Sequence, residues 1–196
     1  MRKMDYIGIK EYYMYAVKKQ TIYWNPPSCS PFMQSLKEVI PICCVSLDSC
    51  YIPSNKIKPL TKDSLNYDLM VKLAECISTQ LMYLERRGLT LTGYDLTDIL
   101  SVDDGRYFIA ANYERIVPHT NQMIRFTVPF YKPSFTCLTE NRLPIVASYL
   151  TARISLGLLF LHLLDGDINK IRYTKLYWFI NRCLKTPDIG FTLVNF

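Results

Sequence analysis

Seven cysteines and two histidines are the side chains with the widest chemical range in this chain of 196 residues. The cysteines stand at 29, 43, 44, 50, 76, 137 and 183, an odd number with no Cys-x-x-Cys pair, and His119 and His162 are the only imidazoles. A zinc module needs closely spaced Cys and His ligands and a disulfide framework needs an even set, so neither is expected. A cysteine nucleophile served by His119 or His162 is conceivable, but no family signature surrounds any cysteine, and isolated Cys and His residues are usually structural. Gly-x-Ser-x-Gly and His-Glu-x-x-His are both absent, which removes two common hydrolytic sites. A phosphate-cradling Gly-x-Gly-x-x-Gly is absent as well, because Gly8 is the only glycine before Gly88.

Tyr12, Tyr13, Tyr15, Lys18, Lys19, Tyr23 and Trp24 interleave aromatic rings with cations, a pattern that suits stacking on RNA bases and contacts to phosphates. The same residues are ordinary strand composition, and the cations are few for a nucleic-acid footprint. The formal charge of +6 is spread along the chain, so RNA binding is permitted without being indicated and no DNA partner is expected. Hydrophobic residues make up 49% against 20% charged, which excludes disorder and provides for a real core in one domain or one domain with a small lobe. The N-terminus MRKMDYIGIKEYY has no apolar h-region, so no secretory signal is expected. A reducing, intracellular compartment follows from the unpaired cysteine set.

The elements that must position any site are partly legible. Tyr6 to Trp24 reads as strands broken near Lys10 and Glu11. Ser30 and Pro31 open a short helix that buries Phe32, Met33, Leu36, Val39 and Ile40. Ile42 to Ile52 reads as two short strands about Asp48-Ser49, and residues 53–62 as a connector. From Asp63, Leu65, Leu69, Leu73, Ile77, Leu81 and Leu84 keep one apolar helical face until Gly88 caps it. Ile99 to Val102 and Arg106 to Ala111 form a hairpin about Asp103-Asp104-Gly105. Thr120 to Pro144, with prolines at 129, 133 and 144, reads as an irregular ordered loop.

Ile145 to Leu164 is apolar on nearly every side of a helix, with Arg153 and His162 its only ionisable groups. A membrane span would place Arg153 near mid-bilayer at a cost of roughly 2.5–3.5 kcal/mol, so a buried core helix is expected and no membrane span. A last amphipathic helix, Lys175 to Leu184, turns Leu176, Phe179, Ile180, Cys183 and Leu184 inward.

This order of elements resembles the C-terminal lobe of protein kinases. Leu81 to Leu96 looks like the family's helix and catalytic loop, with Gly93-Tyr94-Asp95-Leu96 where the family has His-Arg-Asp-Leu. Leu138-Thr139-Glu140 falls where Ala-Pro-Glu closes the activation segment. Ser155-Leu156-Gly157 resembles the Ser-x-Gly of the buried central helix, and Asn181-Arg182-Cys183-Leu184 the Arg-Cys-Leu near the family's C-terminus. Tyr15-Ala16-Val17-Lys18 looks like the Val-Ala-x-Lys strand. The implied fold is α+β: a reduced, β-rich N-terminal lobe over residues 1–62, and a mainly helical C-terminal lobe around a buried central helix over residues 63–196. The brevity and the Tyr-, Ile- and Cys-rich composition resemble kinase-like proteins of large DNA viruses.

The resemblance also implies sites. Phosphoryl transfer requires a lid over the phosphates, a Lys held by a Glu, two metal ligands and an Asp that orients the hydroxyl. Lys18 and Glu38 stand for the nucleotide-binding pair, Asp95 for the catalytic base, and Asp98 and Asn112 for the metal ligands. The lid is missing, and the loop from Asp95 runs two residues short of the family's metal-binding Asn. Neutral Asn112, in Asn112-Tyr113-Glu114, replaces the magnesium-ligating Asp of Asp-Phe-Gly. Ala152 stands where the central helix would present an Asp to the catalytic loop. The expectation is therefore a catalytically inactive kinase-like protein that binds another protein, a kinase or a scaffold, and takes no cofactor. The alternatives are a divergent active Ser/Thr kinase, using ATP and Mg²⁺ with Asp95, Asp98, Lys18 and Glu114, and a basic RNA-binding protein using the N-terminal Tyr/Lys stretch.

Overall fold

The structure, a computed structural model, describes residues 6–10, 13–16, 21–24, 34–40, 43–45, 49–54, 56–103, 105–111, 115–140 and 142–187. A hairpin divides its interior. Strands β8 (Ile99–Val102) and β9 (Arg106–Ile109) pair antiparallel, with Ile99 opposite Ile109 and Leu100 opposite Phe108. Successive strand residues point to opposite faces, and here both faces are apolar. Leu100, Val102 and Phe108 enter a smaller core with Leu36, Ile40, Cys50, Ile52 and Ile57. Ile99, Tyr107 and Ile109 enter the larger core with Ile77, Leu81, Leu156, Phe160 and Phe179. The expected hairpin is present, and its turn holds Asp103 in the left-handed region at φ 50°.

On the smaller-core side, β1 (Tyr6–Lys10), β2 (Tyr13–Ala16), β3 (Thr21–Trp24), β4 (Cys44–Val45) and β5 (Ser49–Tyr51) form an antiparallel sheet in the order β1-β2-β3-β5-β4. The helix expected after Ser30 is, among the described residues, the single turn α1 (Leu36–Val39), which buries Leu36; Phe32 and Met33 lie outside the described residues. Strand β6 (Ile57–Pro59) pairs with the outer side of β8.

The long amphipathic helix is α2 (Tyr67–Glu85), which begins later than Asp63 because Asn66 caps it, accepting the Leu69 N–H at 2.9 Å. Lys62–Ser64 form a separate 3-10 turn, and Gly88 leaves the helix at φ 70°. Gln80 on α2 has a role that its polarity concealed. Strand β9 is the outer strand of the order β6-β8-β9, so its free edge would leave amides unpaired. Buried Gln80 accepts the Ile109 N–H at 2.7 Å and donates to the Ile109 carbonyl at 3.3 Å, acting as one residue of an absent neighbouring strand.

The apolar run 145–164 is not one helix. Ile145–Ser148 is strand β12, which pairs with β11 (Met123–Phe126), and only Thr151–Leu163 is helical, here α3. The expected irregular loop 120–144 therefore contains a strand. Ile145 alternates with exposed Val146, packing against Ile124, Phe126 and Leu138, and uninterrupted hydrophobicity hid that change of period. At 1.5 Å per residue α3 is about 20 Å long, short of the ~30 Å hydrocarbon layer, and among the described residues no helix is long and apolar enough to cross a membrane. Arg153 is held within the protein: Nε and Nη2 donate to Glu85 at 2.8 and 2.5 Å, and Nη1 to the Pro187 carbonyl at 2.7 Å. His162, expected inside the buried helix, is exposed, its ring 4.9 Å from Phe135.

Helix α4 (Lys175–Lys185) starts at Thr174, whose hydroxyl accepts the Tyr177 N–H, and buries Leu176, Phe179, Ile180 and Cys183 against α3. The two helices meet at Gly157, where an added Cβ would come within 2.8 Å of Leu184 Cγ and 3.0 Å of Cys183 Cβ. The chain is an α+β protein, with four α-helices and small antiparallel sheets among the described residues.

Two substitutions test this packing. Gly157→Val is expected to lower stability by about 1–3 kcal/mol through overpacking, seen as a lower urea midpoint with an unchanged m-value. Gln80→Leu is expected to cost about 1–3 kcal/mol because the buried Ile109 amide loses its acceptor, and hydrogen exchange at Ile109 should accelerate with it.

Candidate functional site

Strand β7 (Leu89–Leu91) pairs with β10 (Ile116–Pro118) and delivers the chain into the loop 92–98. Gly93 has φ 147°, and a Cβ on it would lie 2.4 Å from the Phe135 carbonyl oxygen, so the position admits no side chain. That close approach lets Tyr94 and Phe135 exchange both backbone hydrogen bonds at 2.9 Å. The Tyr94 side chain then enters the larger core, where its hydroxyl donates to the Ala152 carbonyl of α3 at 3.0 Å. Burial pushes that phenol far above its ordinary range and keeps it a donor. Thr136 adds a bond to the Thr92 carbonyl at 2.6 Å, and the Cys137 N–H donates to Ser155 Oγ on α3 at 3.1 Å.

Asp95 and Asp98 stand at the two ends of one 3-10 turn, Leu96–Asp98. The Asp95 N–H donates to Asp98 Oδ2 at 2.6 Å. Arg115, buried just before β10, bridges the pair: Nη1 bonds Asp98 Oδ2, and Nη2 lies 2.9 Å from Asp95 Oδ2. The Tyr131 ring covers the guanidinium at 4.4 Å, and its hydroxyl donates to Asp95 Oδ2 at 3.2 Å. The other oxygen of Asp95 accepts the Ser134 N–H at 2.8 Å and the Ser134 hydroxyl at 2.6 Å.

Partial burial pushes the Asp95 carboxyl upward, but the Ser134 bonds, the Arg115 charge and the Tyr131 hydroxyl outweigh it and hold the group below the usual carboxylate range. A carboxylate has about four lone-pair sites, and Asp95 has four donors directed at it. A strongly ionised, filled carboxylate is a weak base near neutral pH. What this arrangement does is fasten residues 131–134 onto the loop.

Of the residues singled out from the sequence, Asp95 and Asp98 converge. Glu38 is exposed on α1, while Lys18 and Asn112 lie outside the described residues, as does Glu114. Among the described residues no group of three or more His, Cys, Asp or Glu is arranged to hold a metal. Two cysteines are placed as structural groups: desolvation pushes the Cys183 thiol up to about 12, and Cys137 Sγ donates to the Thr151 carbonyl. The His119 ring rests on Tyr149, 4.8 Å away.

Arg115, Tyr131 and Ser134 were missed by sequence reasoning, since their link to Asp95 spans 20 to 39 positions and no local pattern marks it. A neighbouring segment also forms two adjoining clefts. One of about 250 Å³ is lined by Cys137, Thr139, Val146 and Ile154; the second, about 240 Å³, by Phe130, Lys132 and Leu143. They share Glu140 and Ile145 and lie beside the carboxylate cluster instead of over it.

Arg115→Met leaves the buried Asp98 carboxylate without its counter-charge, so a loss of about 3–5 kcal/mol is expected in urea unfolding. For Asp95 the folded pKa lies below the unfolded one, so its contribution is complete above the ordinary carboxylate pKa of about 3.9 and disappears as pH falls through the lowered value. The stability gap between wild type and Asp95→Asn should therefore be constant from neutral to mildly acidic pH and close only below about pH 4. Compared with known proteins, the chain matches no protein-family model and no curated protein.

Proposed function

We propose that this protein is a catalytically inactive kinase-like module that works by binding another protein. One observation carries the reading: Asp95, the residue in the position of the catalytic base, has both carboxylate oxygens committed to Ser134, Tyr131 and Arg115. A substrate hydroxyl would have to displace a filled set of donors. The guanidinium of Arg115 bonds both Asp95 and Asp98, so the positive charge that this carboxylate pair attracts is supplied by the protein. The lid glycines are missing, and Asn112 replaces the metal-binding Asp.

The kinase-like part of the reading is supported by the order of helix α2, a loop holding Asp95, hairpin β8–β9, buried helix α3 and then α4, with the short strands β10, β11 and β12 between the hairpin and α3. The division that the resemblance implies, 1–62 as a β-rich lobe and 63–196 as a helical lobe, is part of the proposal; strand β6 of the first part pairs with β8 of the second. Protein binding is supported by the surface of segment 123–148, where Val146 is 54% and Tyr131 56% exposed beside the two clefts. Exposed apolar groups clustered around concavities are typical of protein-binding surfaces. A kinase or a scaffold is the partner that the resemblance implies.

Incubation of the full chain with radiolabelled ATP and either Mg²⁺ or Mn²⁺ decides the catalytic half. Incorporation at background, identical in wild type and Asp95→Asn, is the expected result. Incorporation that Asp95→Asn abolishes would overturn the reading in favour of a divergent Ser/Thr kinase.

A further inference from the structure

Helix α4 and the turn before it present a surface that neither the buried core nor the Asp95 cluster uses. Between Ile168 and Pro187 the chain carries five cations and no carboxylate; Lys170 is paired with Asp165 at 3.1 Å just ahead of this segment, which leaves Arg172, Lys175, Arg182 and Lys185 along the surface. On α4, Lys175, Trp178, Arg182 and Lys185 recur at i, i+3, i+7 and i+10, which sets them in one stripe about 15 Å long. The opposite stripe, Leu176, Phe179, Ile180 and Cys183, is the one that packs on α3. Two large aromatic side chains accompany the cations outward: Trp178 is 47% exposed and Tyr173, which precedes the helix, is 75% exposed. Both are held in defined poses, Trp178 edge-to-face with Tyr177 at 5.2 Å and Tyr173 beneath the Arg172 guanidinium at 4.8 Å.

We propose that this surface binds single-stranded nucleic acid, with the Trp178 and Tyr173 rings stacking on unpaired bases and Arg172, Lys175 and Lys185 contacting phosphates. Charge complementarity names the ligand class, because the segment is uniformly cationic and its outward aromatics are spaced between cations. Backbone-tracking cations combined with stacking platforms are what sequence-tolerant single-strand binding requires. An anionic membrane fits less well. An interfacial helix must turn a broad apolar face to the acyl layer, and that face of α4 is already buried against α3. The surface is separate from the N-terminal Tyr/Lys stretch and does not depend on whether the protein transfers phosphate.

The test uses the full chain and a labelled oligouridylate of about 12 nucleotides, followed by fluorescence anisotropy. A duplex of the same length and vesicles of phosphatidylserine with phosphatidylcholine are run in parallel. Single-strand binding should weaken about tenfold in Trp178→Ala and be retained in Trp178→Phe, since each stacked base contributes strongly and any flat ring serves. Affinity should fall steeply between about 50 and 200 mM salt, and the Lys175→Glu/Lys185→Glu double variant should flatten that dependence by about 0.7 in log–log slope for each phosphate no longer neutralised. All of these side chains face solvent, and an unchanged circular dichroism spectrum and melting temperature identify variants that keep the fold. No binding at low salt, affinity indifferent to both variants, or stronger binding to duplex or vesicles would each overturn the proposal.

Discussion

The buried ion pair between Arg115 and Asp98, extended to Asp95, is the interaction on which the rest of the loop region depends. Asp98 is inaccessible to solvent, and a carboxylate removed from water is costly unless a counter-charge and hydrogen-bond donors replace its hydration. Arg115 supplies the charge, and the Asp95 amide supplies a donor. A guanidinium suits the task because its planar fork serves two carboxylates at once while its face remains open to the Tyr131 ring. Through these few bonds the start of β10, the Leu96–Asp98 turn and the segment 131–134 become one unit.

Around this unit the larger core is closed by neutral groups, with the Arg153–Glu85 ion pair at its border. Tyr94 reaches α3 with a neutral hydroxyl, meeting the Ala152 carbonyl, where an ionised partner would have had to be desolvated. The approach is close because Gly93 carries no side chain. Gly157 performs the same service between α3 and α4. Gln80 completes the edge of β9 with its amide, so the hairpin that separates the two cores has a satisfied outer strand. Tyr94 and Gln80 each join elements distant in sequence.

The proposed function follows from how these groups are occupied. The property that suits a carboxylate to orient a substrate hydroxyl, its ability to accept several donors, is here turned on the protein's own chain. In that reading Ser134 and Tyr131 take the place of a substrate; their bonds to Asp95 fasten the loop to a segment with exposed apolar groups. A surface fixed in this way suits recognition, which gains when the binding conformation is already formed.

Periodicity alone determined much of the framework. The apolar stripe of α2, the stripe of α4 and the β8–β9 hairpin are legible because each follows from side-chain spacing within a few residues. Asp95 and Asp98 were legible only through the resemblance of their loop to the kinase catalytic loop, not through periodicity. Tertiary structure alone decided that Ile145–Ser148 is a strand, since a continuous apolar run satisfies either period until a partner, here Met123–Phe126, claims its backbone. It also decided that Arg153 pairs with Glu85 across 68 positions and that Arg115 binds both aspartates. A charge selects its partner by distance and desolvation in three dimensions, and neither quantity is written in the order of residues along a chain.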